Sequence, residues 1–208
     1  DGRDTPPQSG IHRIRELLEM FKASGVGRVA SICGRYYAMD RDKRWERTQL
    51  AYDLLTQGKG LPETDPIAAM QNAYDRGETD EFIKPVILTD ASGKALSSIQ
   101  DGDTVIFFNF RGDRPRQITR AFVLDDFEGF ERTVRPTVHF TSLTRYEEGV
   151  PVSGIAYPPE TLSQNMPNIC GAVLAKANKR QLRIAETEKY AHVTSFFNGQ
   201  KETPFEGE

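Results

Sequence analysis

Phe107 to Arg116 reads FFNFRGDRPR. With Val105 and Ile106 ahead of it, the stretch opens on apolar and aromatic residues of high strand preference, just past the turn residues Asp101-Gly102-Asp103. This pattern predicts a buried strand over Val105 to Phe110. The apolar run stops at Arg111-Gly112-Asp113-Arg114-Pro115-Arg116, which places three guanidinium groups within six residues at the carboxyl end of that strand. Ligands bind at that edge of α/β sheets. Arginine is a planar, permanently charged fork that grips carboxylate or phosphate through paired hydrogen bonds, so a small, doubly anionic ligand is expected, with Gly112 leaving room for close approach. The plainer alternative is a solvated turn whose arginines serve structural ion pairs.

Outward from this stretch the chain alternates helices and strands. Toward the amino end, Asp1-Gly2-Arg3-Asp4-Thr5-Pro6-Pro7 is turn-rich and polar. Ser9 is read as a helix cap, with Ile11, Ile14, Leu18 and Phe21 at helical spacing before Gly25. Arg28 to Cys33 reads as a strand. The loop from Gly34 follows, GRYYAMDRDKRWER, and leads into a helix with Trp45, Tyr52 and Leu55 on its apolar side and Gly58 and Gly60 beyond its end. Arg35 and Arg41 of that loop are candidates for ligand contact; Lys43, Arg44 and Arg47 are expected to pair with Asp40, Asp42 and Glu46.

Asp65 caps a second helix with Pro66 in its first turn, and Val86 to Thr89 is a short strand. Beyond the opening stretch, Gln117 to Phe122 reads as helix and Val134 to Leu143 as a strand in which His139 is packed. The order favours an α/β fold, a mixed sheet covered by helices on both faces. Pro158 to Glu160 marks a boundary, followed by a helix over Asn168 to Asn178 and a strand over Gln181 to Ala185. The roughly fifty residues past the boundary are too few to build a core alone.

Composition narrows the function classes. The net charge is -3 and the pI about 5.7, so the overall field does not favour nucleic acid. Arginine supplies 18 of the 27 basic residues, a bias toward fixed oxyanion recognition. No span approaches the roughly 18 to 20 apolar residues that cross a bilayer. Cys33 and Cys170 form neither a disulfide framework nor a zinc pattern, which suits a reducing, cytoplasmic setting. The chain has no signal peptide and does not begin with Met, so a segment of a longer protein is the expectation.

Four stretches, DGRDTPP at Asp1, GRYYAMDRDKRWER at Gly34, FNFRGDR around Asn109 and QLRIAETEKYAHVT with FFNG at Gln181 to Gly199, together resemble the cofactor-independent (2,3-bisphosphoglycerate-independent) phosphoglycerate mutases. The resemblance implies a cytoplasmic isomerase of glycolysis and gluconeogenesis that interconverts 3-phosphoglycerate and 2-phosphoglycerate through a phosphoserine. It implies an alkaline-phosphatase-like domain holding two metal ions, Mn2+ or similar, with an inserted transferase domain and no 2,3-bisphosphoglycerate requirement. Residues 1–158 then correspond to the transferase domain and 159–208 to a fragment of the metal domain. Carried over by motif, the substrate contacts fall on Arg3, Asp4, Arg35, Arg41, Arg111, Arg114 and Lys189. No segment resembles the family's serine nucleophile or its metal-binding aspartates and histidines, and Cys33 and Gln200 depart from its usual Ser and NGG. The expected partners are the small substrate and the phosphatase part of the same polypeptide, without nucleic acid or membrane, in a monomer that is inactive as this chain alone. A non-catalytic module that binds a phosphorylated carboxylate with the same arginines is the alternative.

Overall fold

A computed structural model describes residues 2–158 and 166–208. The elements run α1 (Gly10–Ser24), β1 (Ser31–Ile32), α2 (Arg35–Ala38), α3 (Trp45–Gln57), β2 (Leu61–Glu63), α4 (Pro66–Asp75), β3 (Val86–Leu88), β4 (Thr104–Phe107), α5 (Arg116–Val123), β5 (His139–Ser142) and β6 (Gly154–Ile155). After them come α6 (Cys170–Lys176), a 3-10 turn (Thr187–Lys189) and α7 (Tyr190–Val193). The α/β character and mixed pairing match the sequence reading, but the strands form two three-stranded sheets rather than one.

In the first sheet β3 is central, antiparallel to β1 and parallel to β2. Its three residues are all buried, because alternate side chains face opposite layers. Val86 and Leu88 pack with Ile11, Met70 and Ala73 from α1 and α4, while Ile87 lies toward Gly58 at the end of α3. Local signals set these helices. Asp65 accepts the Ala68 amide at 2.8 Å ahead of Pro66, and Gly25 and Gly58 end α1 and α3 in the left-handed conformation. Ser9 departs from its expected role: its side chain makes no cap bond, and the Asp80 carboxylate takes the Gly10 amide at 2.7 Å instead.

The second sheet is all parallel, with β5 between β4 and β6. Its core joins Phe140 to Ile118, Ala121 and Phe122 of α5 and to Tyr52 of α3. The expected buried strand over Val105 to Phe110 is instead a short edge strand. Among the described residues β4 pairs with β5 alone, and its side chains alternate, so Val105 and Phe107 turn inward while Ile106 is 68% exposed. Tyr146 donates to the carbonyls of both Phe107 and Asn109 at 2.7 Å, drawing the chain off the sheet and leaving Phe108 and Phe110 exposed. His139, expected to be packed, is exposed at the start of β5.

Beyond residue 165, the helix expected over Asn168 to Asn178 shortens to α6. No strand forms over Gln181 to Ala185. The Gln181 amide reaches the Gly207 carbonyl at 2.8 Å, but no neighbouring strand lies alongside among the described residues, and Leu182 and Ile184 are about 80% exposed. Of the expected boundary, Pro159 and Glu160 lie outside the described residues.

Candidate functional site: an arginine cluster

The segment Thr79 to Ile83 is the brace on which two of the arginine-bearing stretches are mounted. The Asp80 amide donates to Pro7, the Gly34 amide to Ile83 at 2.8 Å, and the Tyr36 amide to Glu81 at 3.0 Å. Gly34 packs so closely that a Cβ there would stand 2.5 Å from the Glu81 carbonyl oxygen. Gly2, at φ +69, lies equally tight against the Glu81 amide. These contacts bring Arg3 to 3.7 Å from Glu81 and Arg35 to 3.4 Å from Asp4. Arg35 thus belongs to the one-turn helix α2, not to an open loop, and Asp4 is an exposed carboxylate already facing a guanidinium.

Arg41 is set by Asp40. The buried Asp40 carboxylate accepts the amides of Asp42 and Arg44 and the side-chain amide of Gln117, while Gln117 accepts the Lys43 amide at 2.8 Å. This ties the loop to α5 and holds Lys43 at φ 59, a conformation that costs a non-glycine residue. Arg47 also reaches Asp40, at 3.7 Å, as the helical-pairing expectation had it.

At the centre sits Asp113, 6% exposed. Arg111 grips it through Nε at 2.7 Å and Nη2 at 3.2 Å, and Arg41 donates Nη1 to it at 2.5 Å. Burial by itself would raise this carboxyl, but the two guanidinium groups outweigh it and hold the pKa below the usual carboxylate range. Arg114 donates Nη1 to the Met39 carbonyl at 3.1 Å. Burial first, and then the positive charges of Arg41, Arg35 and Arg3, hold its guanidinium below its usual pKa. Lys189, exposed at the end of its 3-10 turn, enters through His192. The His192 ring is also held low, by burial and then by Arg111, Lys189 and Arg41.

Direct contacts join Arg41 and Arg111 at Asp113, tie Arg114 to the Met39 carbonyl at the end of α2, and set Arg3, Asp4 and Arg35 around the Glu81 brace, while Lys189 stands three residues before His192, which lies 3.0 Å from Arg111 Nη2. Gly112 does not serve ligand approach: a Cβ there would meet the Tyr146 backbone at 3.2 Å, so the glycine lets two chain segments close on each other. Sequence reasoning missed Asp113, Glu81 and His192, whereas Asp40 was expected as an ion-pair partner. An acid between two arginines in Arg-Gly-Asp-Arg was the available signal for Asp113; Glu81 gave none.

A cleft of about 570 Å³ opens beside the cluster, between Thr144 to Glu148 and His192 to Thr203, and touches the arginine set only through Arg111. Among the described residues no three His, Cys, Asp or Glu side chains gather in a way that would hold a metal ion. No helix among them is long and apolar enough to cross a membrane.

Residues 1–148 match the family model described as BPG-independent PGAM N-terminus. A 2,3-bisphosphoglycerate-independent phosphoglycerate mutase of Shewanella baltica is 54% identical over the whole of this chain, which covers 40% of that relative. One from Methanosarcina acetivorans is 53% identical over the same span, with 39% of it covered. Among solved structures, Leishmania mexicana phosphoglycerate mutase at low cobalt concentration superposes with a TM-score of 0.79 at 32% identity, over 98% of this chain and 38% of that one. The chain spans about two fifths of the length of these relatives, and it belongs to the 2,3-bisphosphoglycerate-independent phosphoglycerate mutase family.

Proposed function

We propose that the chain is the substrate-holding part of an enzyme that interconverts 3-phosphoglycerate and 2-phosphoglycerate. What supports this is the convergence of Arg41 and Arg111 on Asp113, with Arg114 held at the Met39 carbonyl and Arg3 and Arg35 set on the adjoining Glu81 brace. Glu81, Asp4 and Asp113 are three carboxylates to these five guanidinium groups, so positive charge remains for an anion, and a three-carbon acid bearing a carboxylate and a phosphate offers anionic oxygens at both ends. The names of the relatives support that substrate class.

In this reading the reaction is a phosphoryl relay. The bond between phosphorus and one substrate oxygen breaks as phosphorus bonds to a serine outside this chain; the free glycerate turns, and its other hydroxyl takes the phosphoryl group back. The arginines keep the glycerate from leaving and fix its carboxylate, so the return step proceeds from an oriented neighbour rather than from solution. Asp4 accepts a hydrogen bond from a glycerate hydroxyl once Arg35 turns to the ligand, and Lys189 places positive charge where phosphoryl oxygens gather. The divalent ions of the reaction, manganese by resemblance, would supply Lewis acidity, and no cluster of side chains among the described residues fits them. We place the transferase domain at residues 1–158 and the start of the phosphatase portion at 159–208; the exposed Leu182 and Ile184 are the residues a further strand of that portion would cover.

The test is Arg111→Ala in the full-length enzyme. Loss of one charge-assisted hydrogen bond predicts a fall in kcat/KM for 3-phosphoglycerate worth about 1.5 to 3 kcal/mol, roughly 10- to 150-fold. Unchanged kinetics would remove Arg111 from the site.

A further inference from the structure

His192, in the Gln181 to Gly199 stretch, is the group that the carboxyl-terminal segment sets against Arg111. Its Nε2 lies 3.0 Å from Arg111 Nη2. A guanidinium can only donate, so Nε2 is the acceptor and the ring proton resides on Nδ1. Nδ1 is buried without a hydrogen-bond partner among the described residues, so nothing there enforces the opposite tautomer. Phe196 completes the arrangement, edge-on to the imidazole with centroids 5.3 Å apart and 5.5 Å beneath the Arg111 guanidinium carbon. With Nε and Nη2 committed to Asp113 and His192, Nη1 is the Arg111 nitrogen that has no hydrogen bond among the described residues.

We propose that His192 is a positioning residue for the anion clamp: as a neutral acceptor it fixes the plane of Arg111 so that Nη1 faces the carboxylate or phosphate of bound phosphoglycerate. This rests on the function proposed above. The charged groups facing the ring are Arg111 and Asp113 from the segment after β4, Arg41 from the loop after α2, and Lys189 from the preceding turn. Arg116, Arg145, Glu147, Glu148, Lys201 and Glu202 line the cleft beyond. Burial and the three cations hold the ring below the usual histidine value against the opposing pull of Asp113. Holding therefore persists at neutral pH and fails as the pH drops through that lowered value, when Nε2 gains a proton and becomes a second donor facing Arg111.

The experiment compares full-length wild type, H192L, H192Q, R111A and the double variant R111A/H192L, measuring kcat and KM for 3-phosphoglycerate from about pH 8 to about pH 5. H192L is expected to raise KM about tenfold, as for one lost hydrogen bond to a charged group. The double variant should be no worse than R111A, because His192 acts through Arg111. H192Q keeps an acceptor near the Nε2 position, so it should recover most of the loss and flatten the acid limb of the profile. Additive losses in the double variant, or an acid limb in H192Q matching wild type, overturn the proposal. If H192L does not fold, the H192Q profile alone decides. Wild-type behaviour of R111A would instead sink the clamp reading beneath it, a result distinct from R111A impaired with H192L unaffected.

Discussion

Asp113 is the residue on which Arg41 and Arg111 depend. Two guanidinium groups contact its buried carboxylate, and Arg41 is itself largely buried. Asp113→Ala should leave Arg41 a buried charge without its counter-ion and cost about 3 kcal/mol of stability at neutral pH. Because the Asp113 pKa is depressed, its contribution is complete above the unfolded-state carboxylate value of about 3.9 and is lost as pH falls through the folded value. Urea unfolding at neutral and at acid pH checks this: the gap between variant and wild type should narrow in acid, and a constant gap would contradict the sign. The arginines were legible from sequence because their type and clustering carry the chemistry. The carboxylate that organises them was not, because its second partner lies 72 residues away.

Among the elements, α2 with its preceding glycine does the most to place a candidate ligand group. Gly34→Ala would force a methyl group against the Glu81 and Ile83 backbone, atoms that cannot swing aside. The expected cost is about 1 to 3 kcal/mol by overpacking, and Arg35 should move with the displaced turn. A lowered urea midpoint together with a raised KM for 3-phosphoglycerate would bear this out, while a stability change with unaltered KM would separate Gly34 from the site. Helix ends were readable where the signal is local, as at Asp65-Pro66, Gly25 and Gly58. Ser9 misled because groups distant in sequence take the first-turn amides, the Asp80 carboxylate that of Gly10 and the Tyr74 hydroxyl that of Ile11. Gln181 to Ala185 has the composition of a strand, but a strand exists only beside another.

For the whole molecule, the reading assigns binding to this chain and bond-making to the remainder of the polypeptide. The 208-residue chain alone is expected to show no mutase turnover even with manganese added, and appreciable turnover in a coupled assay would contradict that division. The α/β class was legible from the alternation of helices and strands. The split into two sheets was not, because it depends on parallel pairings such as Thr104 with His139 that no short stretch encodes. The span between Arg41 and Asp113 also sets a temporal order. During translation Arg41 leaves the ribosome 72 residues ahead of the carboxylate that neutralises it, and Arg3 leaves it ahead of Glu81. The nascent polypeptide thus carries its cations before their counter-charges exist, and on the proposed function metabolite recognition would become available only after synthesis has passed the Arg-Gly-Asp-Arg stretch.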